Sequence, residues 1–389
     1  NLELLAKNVN SKVVMVTGAG GSIGSEISRQ IIKSKPKKLI LVEINEFALY
    51  KINDELKNIG QNIKIIPLLI NIQNSSKIED VLKNFKVDTI YHAAAYKHVP
   101  LVEENICESV KNNVFGTYII AKNALKYGVD NFVLISSDKA VRPTNIMGAS
   151  KRLAEISIQS LYDNHYQQHD DQDLQTKFAI VRFGNVLQSS GSVIPKFKKQ
   201  IKEGGPVTLT HQDVTRYFMT LIEASQLVIQ AGAMAEKCEV FVLDMGESVK
   251  IKDLIYKMIK LSGLTIKDNK NLEGDIEIKI IGLRSGEKLY EELLIGDNPQ
   301  KTYHEKIQKA QDPFIPFNRL KIDLDNLSSL IEENRVKEVK AMLSKLVVSY
   351  QSNSTIVDHF YEEQLNSKFD LKSSKIKNEE NKVVRIKTK

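Results

Sequence analysis

Cysteine is scarce in this sequence, and long apolar runs are missing from it. Two cysteines, Cys107 and Cys238, stand in 389 residues, which excludes a disulfide framework and indicates a reducing compartment. No apolar run approaches the roughly 18 residues that a membrane-spanning helix needs, and no signal peptide is visible. Of the seven histidines, His92, His98, His211 and His304 are not spaced like metal ligands. We therefore predict a cytoplasmic protein without a metal ion.

The chain also lacks a basic body, although its formal net charge is +7. From Ser367 to Lys389, eight Lys and Arg residues stand beside three Asp and Glu residues, so this segment carries +5 of the total. A surface that binds phosphate backbones needs positive charge clustered on the folded part. The charge distribution thus predicts no nucleic-acid partner. It also predicts a polar tail over residues 349–389 that is largely disordered from about residue 367.

A glycine motif between a strand and a helix indicates a dinucleotide site. Residues 13–16 form a buried-strand pattern, and an amphipathic helix pattern begins at residue 23. The glycines between them follow a G-x-x-G-x-x-G spacing. This spacing permits a tight turn and lets the helix N-terminus face a pyrophosphate. We assign this contact to Gly18, Gly21, Ser22, Ile23 and Gly24.

An acidic residue at the end of the second strand pattern predicts which dinucleotide binds. Glu43 follows the strand pattern of residues 38–42 and stands 19 residues past Gly24. A carboxylate at this distance accepts hydrogen bonds from the adenosine ribose and repels a 2′-phosphate. No arginine follows in residues 44–47. The predicted cofactor is therefore NAD rather than NADP.

Strand and helix patterns alternate along the first half of the chain, with further strands at 64–69, 89–92, 131–136 and 178–182. This repetition predicts an α/β fold, a doubly wound parallel sheet of the Rossmann type. Asn71 and Ile72 follow the third strand and are expected beside the adenine. The small residues Ala93, Ala94 and Ala95 follow the fourth strand, where they let the backbone approach the cofactor.

The residues with the most specific chemistry follow the fifth strand. Ser137, Asp138 and Lys139 place a hydroxyl, an acid and an amine side by side. Met147 and Lys151 come next, four residues apart on a predicted helix. Because ligands bind beyond the carboxyl ends of parallel strands, we predict that these five residues form the catalytic group.

The regular alternation ends after residue 185, and a second region begins. It contains two isolated arginines in polar loops, Arg216 and Arg284, which suit a diphosphate. We predict a Rossmann domain over residues 10–185, completed by about 212–245. A smaller mixed α/β substrate-binding domain would comprise residues 186–211 and 246–348.

Three motifs give the chain a close resemblance to a known family. The most specific is Ser-Ser-Asp-Lys-Ala-Val-x-Pro-Thr-Asn-x-Met-Gly-Ala-Ser-Lys-Arg, residues 136–152. Gly-Asn-Val-x-x-Ser-x-Gly-Ser-Val-Ile-Pro, residues 184–195, and Gly-Leu-Arg-x-Gly-Glu-Lys-Leu, residues 282–289, support it. Over about residues 5–310 the chain resembles the nucleoside-diphosphate-sugar 4,6-dehydratases of polysaccharide and glycan biosynthesis, the CapD/WbpM/PglF type of extended short-chain dehydrogenase/reductase.

The resemblance implies a substrate and an activity. The substrate would be a UDP-linked N-acetylhexosamine, usually UDP-N-acetylglucosamine, and the product a UDP-4-keto-6-deoxy sugar. Lys151 would bind the nicotinamide ribose, and retention of configuration at C5 is favoured. Larger family members carry N-terminal membrane helices, so this chain is expected to be the soluble portion of a membrane-anchored enzyme. Matching positions imply substrate contacts at Lys97, Asn185, Ser192, Val193, Thr208, Arg216 and Arg284.

The acid–base roles follow from the reaction. NAD⁺ takes hydride from C4, the resulting ketone acidifies the C5 proton, water leaves across C5–C6, and hydride returns to C6. We expect Lys139 to be the C5 base, with its pKa lowered by burial and by neighbouring cations, and Asp138 to be the acid toward the C6 oxygen. Related dehydrogenases have Tyr at the position of Met147, and a thioether cannot take a proton. Ser137, or Asp138 through a water molecule, would then deprotonate the C4 hydroxyl.

Other functions fit part of the pattern. A UDP-sugar 4-epimerase would use the same cofactor, but it needs no C5 base and normally retains the Tyr. A dehydratase that inverts C5 usually keeps the Tyr as well. A catalytically silent NAD-binding protein is supported only by Met147. The framework also implies a homo-oligomer, with an interface formed by the helices that begin at Cys107 and at Met147.

Overall fold

The main sheet contains nine strands in the part of the chain that the computed structural model describes, which is residues 1–60, 62–168, 176–187, 189–284, 286–293, 299–352 and 355–366. The strands are β1 (Val13–Thr17), β2 (Lys38–Glu43), β3 (Lys64–Leu69), β4 (Thr89–His92), β5 (Asn131–Ile135), β6 (Lys177–Arg182), β7 (Asn185–Val186), β8 (Val207–Leu209), β9 (Thr215–Arg216), β10 (Phe218–Met219), β11 (Cys238–Leu243), β12 (Val249–Lys250), β13 (Ile266–Lys267), β14 (Ile276–Ile280), β15 (Gln300–Lys301) and β16 (Ile307–Ala310). The order in the main sheet is β15-β16-β11-β6-β5-β4-β1-β2-β3. The seven strands β1 to β6 and β11 run parallel to one another.

Helices cover both faces of this sheet, so the predicted doubly wound fold is confirmed. The helices are α1 (Leu2–Lys7), α2 (Ser22–Lys33), α3 (Glu46–Ile59), α4 (Ser75–Phe85), α5 (Val99–Glu104), α6 (Ile106–Val110), α7 (Thr117–Lys126), α8 (Ile146–Gln168), α9 (Val193–Lys202), α10 (Leu221–Met234), α11 (Ile251–Leu261), α12 (Phe317–Glu332) and α13 (Val336–Leu346). Along β1, Val14 and Val16 pack toward α2 and α10, whereas Met15 packs on the other face with residues of α4 and α7. Alternate side chains are thus buried on opposite faces, as a covered parallel sheet requires.

A smaller lobe lies beside the carboxyl ends of the sheet. Its three-stranded sheet has the order β13-β14-β8, and helices α9 and α11 pack on it. Phe197 of α9 and Ile255 of α11 are buried in the apolar core of this lobe. Two strand pairs, β7 with β10 and β9 with β12, connect it to the end of β6. The lobe therefore stands over the edge of the sheet where ligands bind.

Residues 307–346 divide differently from the predicted domains. The range 246–348 was assigned to the substrate-binding domain, but β16 pairs antiparallel with β11 and extends the main sheet. Helices α12 and α13 pack against α8, where Leu320 and Leu343 join the core around Leu153. The sequence of a short strand or an amphipathic helix does not show which domain it packs on, because this depends on the surface that it contacts in the folded protein.

The helix predicted to begin at Cys107 is interrupted. Residues Lys111–Gly116 form a π-helical segment between α6 and α7. Asn113 of this segment accepts a hydrogen bond from the backbone N of Tyr96 and donates one to its carbonyl oxygen. These bonds hold the loop after β4, and π-helical turns are frequent beside functional sites.

The surface that the resemblance implied for dimerisation is covered by the chain itself. Cys107 and Met147 belong to one apolar core with residues of α12 and α13. Every residue from Ile146 to Leu161 is buried in the single chain. In the described residues α12 and α13 therefore cover this face, and the expected homo-oligomer stays a prediction.

The first part of the predicted tail packs on the fold. Tyr350 is buried, and the Oδ2 of Asp358 accepts a hydrogen bond of 2.7 Å from the backbone N of Ile106. Asp358 also accepts bonds from two backbone N–H groups at the start of helical residues 359–366. The disorder predicted from about residue 367 lies outside the described residues. Within them, no helix is both long and apolar enough to span a bilayer.

Candidate active site

A cavity of about 850 Å³ lies where the main sheet meets the smaller lobe. Its wall is formed by the start of α2, the loops after β4, β5 and β6, and residues of α8, α9, β8 and β9. A neighbouring cavity of about 270 Å³ lies at the ends of β1 to β4. The strand order reverses between β1 and β4, and ligands of open α/β sheets bind at such a point.

The glycine turn fits a dinucleotide backbone. Gly18 has a φ of +64°, and a Cβ there would lie 2.7 Å from backbone atoms of Ala94. A Cβ on Gly24 would lie 2.1 Å from the carbonyl oxygen of Gly18. Only glycine therefore fits without a steric clash at these two positions. No side chain caps the N-terminus of α2 among the described residues, so its first N–H groups remain available to an anion.

Glu43 lies in the smaller cavity and is bound by backbone N–H groups. Its Oε2 accepts a bond of 3.0 Å from the N of Gly20, and its Oε1 accepts bonds from the N atoms of Ile44 and Asn45. A carboxylate has about four lone-pair sites, so it retains capacity for ribose hydroxyls. Seven other residues predicted to contact the cofactor also line this cavity: Gly18, Gly21, Asn71, Ile72, Ala93, Ala94 and Ala95.

The residues after β5 form a hydrogen-bonded group. Ser137 Oγ donates a bond of 2.8 Å to Asp138 Oδ1 and accepts one of 3.2 Å from the Lys139 N. Lys139 Nζ donates to the same Asp138 oxygen at 3.1 Å and to Asn185 Oδ1 at 3.3 Å. A single carboxylate oxygen therefore receives both the hydroxyl and the amine.

Only part of this group reaches the cavity. Within the described residues, the wall includes Ser137 and Lys139 but not Asp138, which is 1% exposed. The second carboxylate oxygen, Oδ2, is buried without a hydrogen-bond partner there, and a Cβ on Gly184 would come within 3.3 Å of it. The geometry lets Asp138 act on a ligand through Lys139 or Ser137.

The charge state of Lys139 differs from the sequence expectation. Burial alone lowers the pKa of this amine, but the carboxylates of Asp138 and Glu291 outweigh burial and raise its pKa above the ordinary value. Lys97, on the loop after β4, shows the opposite behaviour, because burial and the nearby Lys139 lower its pKa. The expected lowering of the Lys139 pKa is therefore wrong. The sequence did not reveal Glu291 as a neighbour.

Met147 and Lys151 lie one turn apart on α8 and both line the cavity. The Met147 side chain is almost fully buried and presents no proton-transferring atom to the wall. Lys151 Nζ donates a bond of 2.6 Å to the carbonyl oxygen of Ile135. Burial lowers the pKa of Lys151 to about 8, and the Glu155 carboxylate opposes that shift.

The structure brings the predicted substrate residues to the same cavity. Arg216 and Arg284 approach it from the smaller lobe, and Ser192 begins helix α9 beside it. Ser192 Oγ is buried without a partner among the described residues, which leaves it free to bind a ligand. All seven predicted positions line the wall: Lys97, Asn185, Ser192, Val193, Thr208, Arg216 and Arg284.

Two carboxylates that sequence reasoning missed surround Arg216. Its Nη2 donates a bond of 3.1 Å to Glu287 Oε1, and its Nε lies 3.8 Å from Glu291 Oε1. Glu287 belongs to the motif of residues 282–289, so the motif could have indicated it. Glu291 stands outside any motif, and its position emerges only from the fold.

A buried ionic cluster supports the strand end from below. Glu155 of α8 accepts bonds from Arg182 at 2.9 and 2.5 Å, from Arg152 at 2.9 Å and from Ser136 at 2.5 Å. Asp312 completes the cluster by pairing with both arginines. Burial favours the protonated acid, but the arginines outweigh it and lower the pKa of Glu155 to about 2. The cluster fixes β6, α8 and the loop after β5 relative to one another.

Comparison with known sequences gives matches over most of the chain. Residues 14–312 match the family described as polysaccharide biosynthesis protein. The capsular polysaccharide biosynthesis protein CapD of Staphylococcus aureus is 47% identical over 343 residues, which cover 87% of this chain and 54% of CapD. The chain thus spans about half the length of that relative.

Two further relatives have names that state activities. A UDP-N-acetylglucosamine 4,6-dehydratase (inverting) of Campylobacter jejuni is 29% identical over 322 residues, 82% of this chain and 86% of that protein. A UDP-glucose 4-epimerase of Rickettsia massiliae is 31% identical over 295 residues, 75% of this chain and 80% of that protein.

Solved structures share the fold. Pen from Bacillus thuringiensis has a TM-score of 0.65 at 36% identity and covers 74% of this chain and 84% of its own. DesIV, a dTDP-glucose 4,6-dehydratase from Streptomyces venezuelae, has a TM-score of 0.61 at 19% identity, covering 75% and 92%.

Proposed function

The chain belongs to the polysaccharide biosynthesis protein family, and on that premise we propose that it is an NAD-dependent UDP-N-acetylglucosamine 4,6-dehydratase that retains the configuration at C5. The net reaction removes one water molecule and leaves a UDP-4-keto-6-deoxy-N-acetylhexosamine. The observation that carries the proposal is the position of Lys139. Its amine stands in the cavity wall between Asp138 and Asn185, at the end of β5, where sugar chemistry would take place.

The residues of the smaller cavity and the glycine turn fit NAD. Positions 18 and 24 exclude a Cβ, and the Glu43 carboxylate lies where ribose hydroxyls would be bound. When bound, NAD⁺ would supply reversible hydride transfer, from C4 of the hexose and back to C6. Lys151 would hold the nicotinamide ribose from the floor of the larger cavity.

Four proton transfers remain for the chain to handle: one from the C4 hydroxyl, one from C5, one to the departing C6 oxygen and one back to C5 when hydride reaches C6. Ser137 Oγ lines the cavity and already donates to Asp138 Oδ1. The C4 hydroxyl proton therefore has a route through Ser137 to that carboxylate. In this proposal, Ser137 and Asp138 do the work of the tyrosine base that related dehydrogenases have at the position of Met147.

Lys139 takes the C5 proton in this proposal. Its raised pKa keeps the resting amine protonated, so the reactive form is the one in which the amine has released its proton to solvent through the cavity that it lines. After taking the C5 proton, the ammonium group is the donor that faces the C6 oxygen. Asp138, which holds the proton of the C4 hydroxyl, passes it to this amine, because its own carboxylate does not line the cavity in the described structure. The amine then returns a proton to C5 when hydride reaches C6, which leaves Lys139 neutral and Asp138 ionised for the next turnover.

A 4-epimerase is the second candidate, since a relative with that name is 31% identical. Epimerisation needs a base for the C4 hydroxyl and no acid–base pair for C5 and C6. Met147 occupies the position in the cavity wall where such enzymes normally have the tyrosine base. The Asp138–Lys139 pair would have no role in an epimerisation. The inverting dehydratase remains the third candidate on the name of the 29% identical relative.

The test is incubation with UDP-N-acetylglucosamine and NAD⁺, followed by mass spectrometry of the nucleotide sugar. We expect a product lighter by one water molecule. Lys139→Met should slow its formation by about 10²- to 10⁴-fold, as loss of a positioned acid–base group does. Lys198→Met, an exposed lysine of α9, is the control and should leave the rate unchanged. Unchanged mass with the wild-type chain, or a fully active Lys139→Met variant, would overturn the proposal.

A further inference from the structure

Glu291 lies between the two cations that the proposed reaction uses at opposite ends of the substrate. Its Oε1 is 3.7 Å from Lys139 Nζ and 3.8 Å from Arg216 Nε. One carboxylate oxygen therefore faces both the amine proposed for the sugar and the guanidinium proposed for the diphosphate.

The surroundings of Glu291 make this contact a buried one. The Glu291 side chain is 5% exposed, and those of Arg216 and Lys139 are 10% and 21% exposed. Its second oxygen, Oε2, is buried with no hydrogen-bond partner in the described residues. Buried carboxylates are retained with charged partners close by, and within the described residues these two cations are the ion-pair partners of Glu291.

The backbone fixes Glu291 at this position. The carbonyl oxygen of Leu289 accepts bonds from the N of Thr215 and from Arg216 Nη1, so this segment runs beside β9. Glu287 and Glu291 consequently approach Arg216 together. Only Glu291 continues to Lys139, since the ion pairs of Glu287 in the described residues involve Arg216 alone.

We infer that Glu291 is a positioning residue that holds the Lys139 amine and the Arg216 guanidinium in register and supplies the second carboxylate that faces Lys139. The inference rests on the proposed function for its catalytic meaning, because it assigns a partner to the proposed C5 base. The charged groups that face Lys139 are Asp138, Glu291, Arg216 and Lys97. Removing one of the two carboxylates from this set makes the amine lose its proton more readily.

The test uses a chemical readout that needs no turnover. Acetic anhydride reacts with the neutral amine, so the pH dependence of Lys139 acetylation, followed by peptide mass spectrometry, reports when this amine loses its proton. In Glu291→Gln the midpoint should fall by about one pH unit relative to the wild-type chain. Glu287→Gln is the matched control, because it removes a carboxylate from Arg216 but not from Lys139, and its midpoint should stay at the wild-type value.

Several outcomes decide the inference. An unchanged midpoint in Glu291→Gln, or an equal shift in Glu287→Gln, would overturn it. If Glu291→Gln does not fold, Glu291→Asp keeps the charge but withdraws it by one methylene, and its midpoint should fall by a smaller amount; no shift there would also overturn it.

Activity then separates this inference from the proposed function. With UDP-N-acetylglucosamine, the rise of kcat with pH should begin at lower pH in Glu291→Gln and not in Glu287→Gln. A wild-type chain that forms no dehydrated product but shows the shifted acetylation midpoint would refute the proposed function and leave the role of Glu291 intact. A wild-type chain that forms the dehydrated product, with no shift of the acetylation midpoint in Glu291→Gln, would support the proposed function and refute the role of Glu291.

Discussion

Ser136 Oγ donates a hydrogen bond of 2.5 Å to Oε1 of Glu155, which joins the end of β5 to the middle of α8. The same carboxylate pairs with Arg182 and Arg152, and all of these side chains are buried. The segment that starts one residue later, proposed to be catalytic, is therefore supported by an ionic cluster and not by apolar packing alone.

Glu155→Gln should destabilise the protein strongly. It removes the charge that compensates two buried arginines, and breaking a buried ion pair costs about 3–5 kcal/mol of unfolding free energy. Urea unfolding measures this loss. The control is Asp130→Asn, which removes a half-exposed pair with Lys12 at 2.9 Å and should cost less than about 1 kcal/mol. Equal effects of the two substitutions would contradict the role of the cluster.

The same cluster predicts a dependence on acid. The folded protein lowers the pKa of Glu155 from 4.5 to about 2, so the folded state binds fewer protons than the unfolded state between those values. The stability from this carboxylate is complete above the unfolded pKa and is lost as pH falls toward about 2. The difference in unfolding free energy between wild type and Glu155→Gln should therefore shrink across this interval. A constant difference would show that the ionised carboxylate is not the source.

Met147→Leu should change the rate of dehydration only a few-fold. The thioether lines the cavity and packs in an apolar core, and exchange of Met for Leu keeps volume and hydrophobicity. Steady-state kinetics with the nucleotide sugar measure this directly. A loss comparable to that of Lys139→Met would mean that the sulfur atom participates in the chemistry.

Glu43→Gln should weaken NAD binding by about tenfold, the effect of losing one hydrogen bond to a charged group. It should also narrow the preference for NAD over NADP, because the charge that repels a 2′-phosphate is gone. Calorimetric titration with both dinucleotides measures the two effects. Glu46→Gln, an exposed neighbour at the start of α3, is the control. Unaltered NAD binding in Glu43→Gln would contradict the assignment of Glu43 to the adenosine ribose.

Residues 349–366 should contribute to stability despite their polar composition. A chain that ends at Val348 loses buried Tyr350 and the bond from Asp358 to the N of Ile106, on the order of 3 kcal/mol. A chain that ends at residue 366 keeps these contacts and should unfold at the same urea concentration as the full chain. If both truncated chains unfold alike, this segment adds nothing.

The sequence predicted the parallel sheet well because its strands are apolar runs with a glycine turn at the first crossing. The bounds of β1, β2 and β4 follow the runs in the sequence within one residue. It did not predict that β16 joins the same sheet, since residues 307–310 are short and polar. Nor did it show that α12 and α13 cover α8, because amphipathic helices do not name the surface they pack on.

The candidate site divides in the same way. Local motifs identified Ser137, Asp138 and Lys139, and the structure places them in one hydrogen-bonded group. The pKa direction of Lys139 could not be predicted, because Glu291 is far away in the sequence and reaches the amine only through the fold. Charge neighbourhoods depend on distance in space, and single acidic residues leave no pattern in sequence.

The most direct test of the central claim is the wild-type reaction with UDP-N-acetylglucosamine and NAD⁺ in deuterated water, followed by NMR of the product. The account predicts a 4-keto-6-deoxy sugar with one deuterium at C5 and unchanged configuration at that carbon. Inverted configuration would make the enzyme the other kind of dehydratase. Recovery of UDP-N-acetylgalactosamine without deuterium at C5 would contradict the account and establish an epimerase.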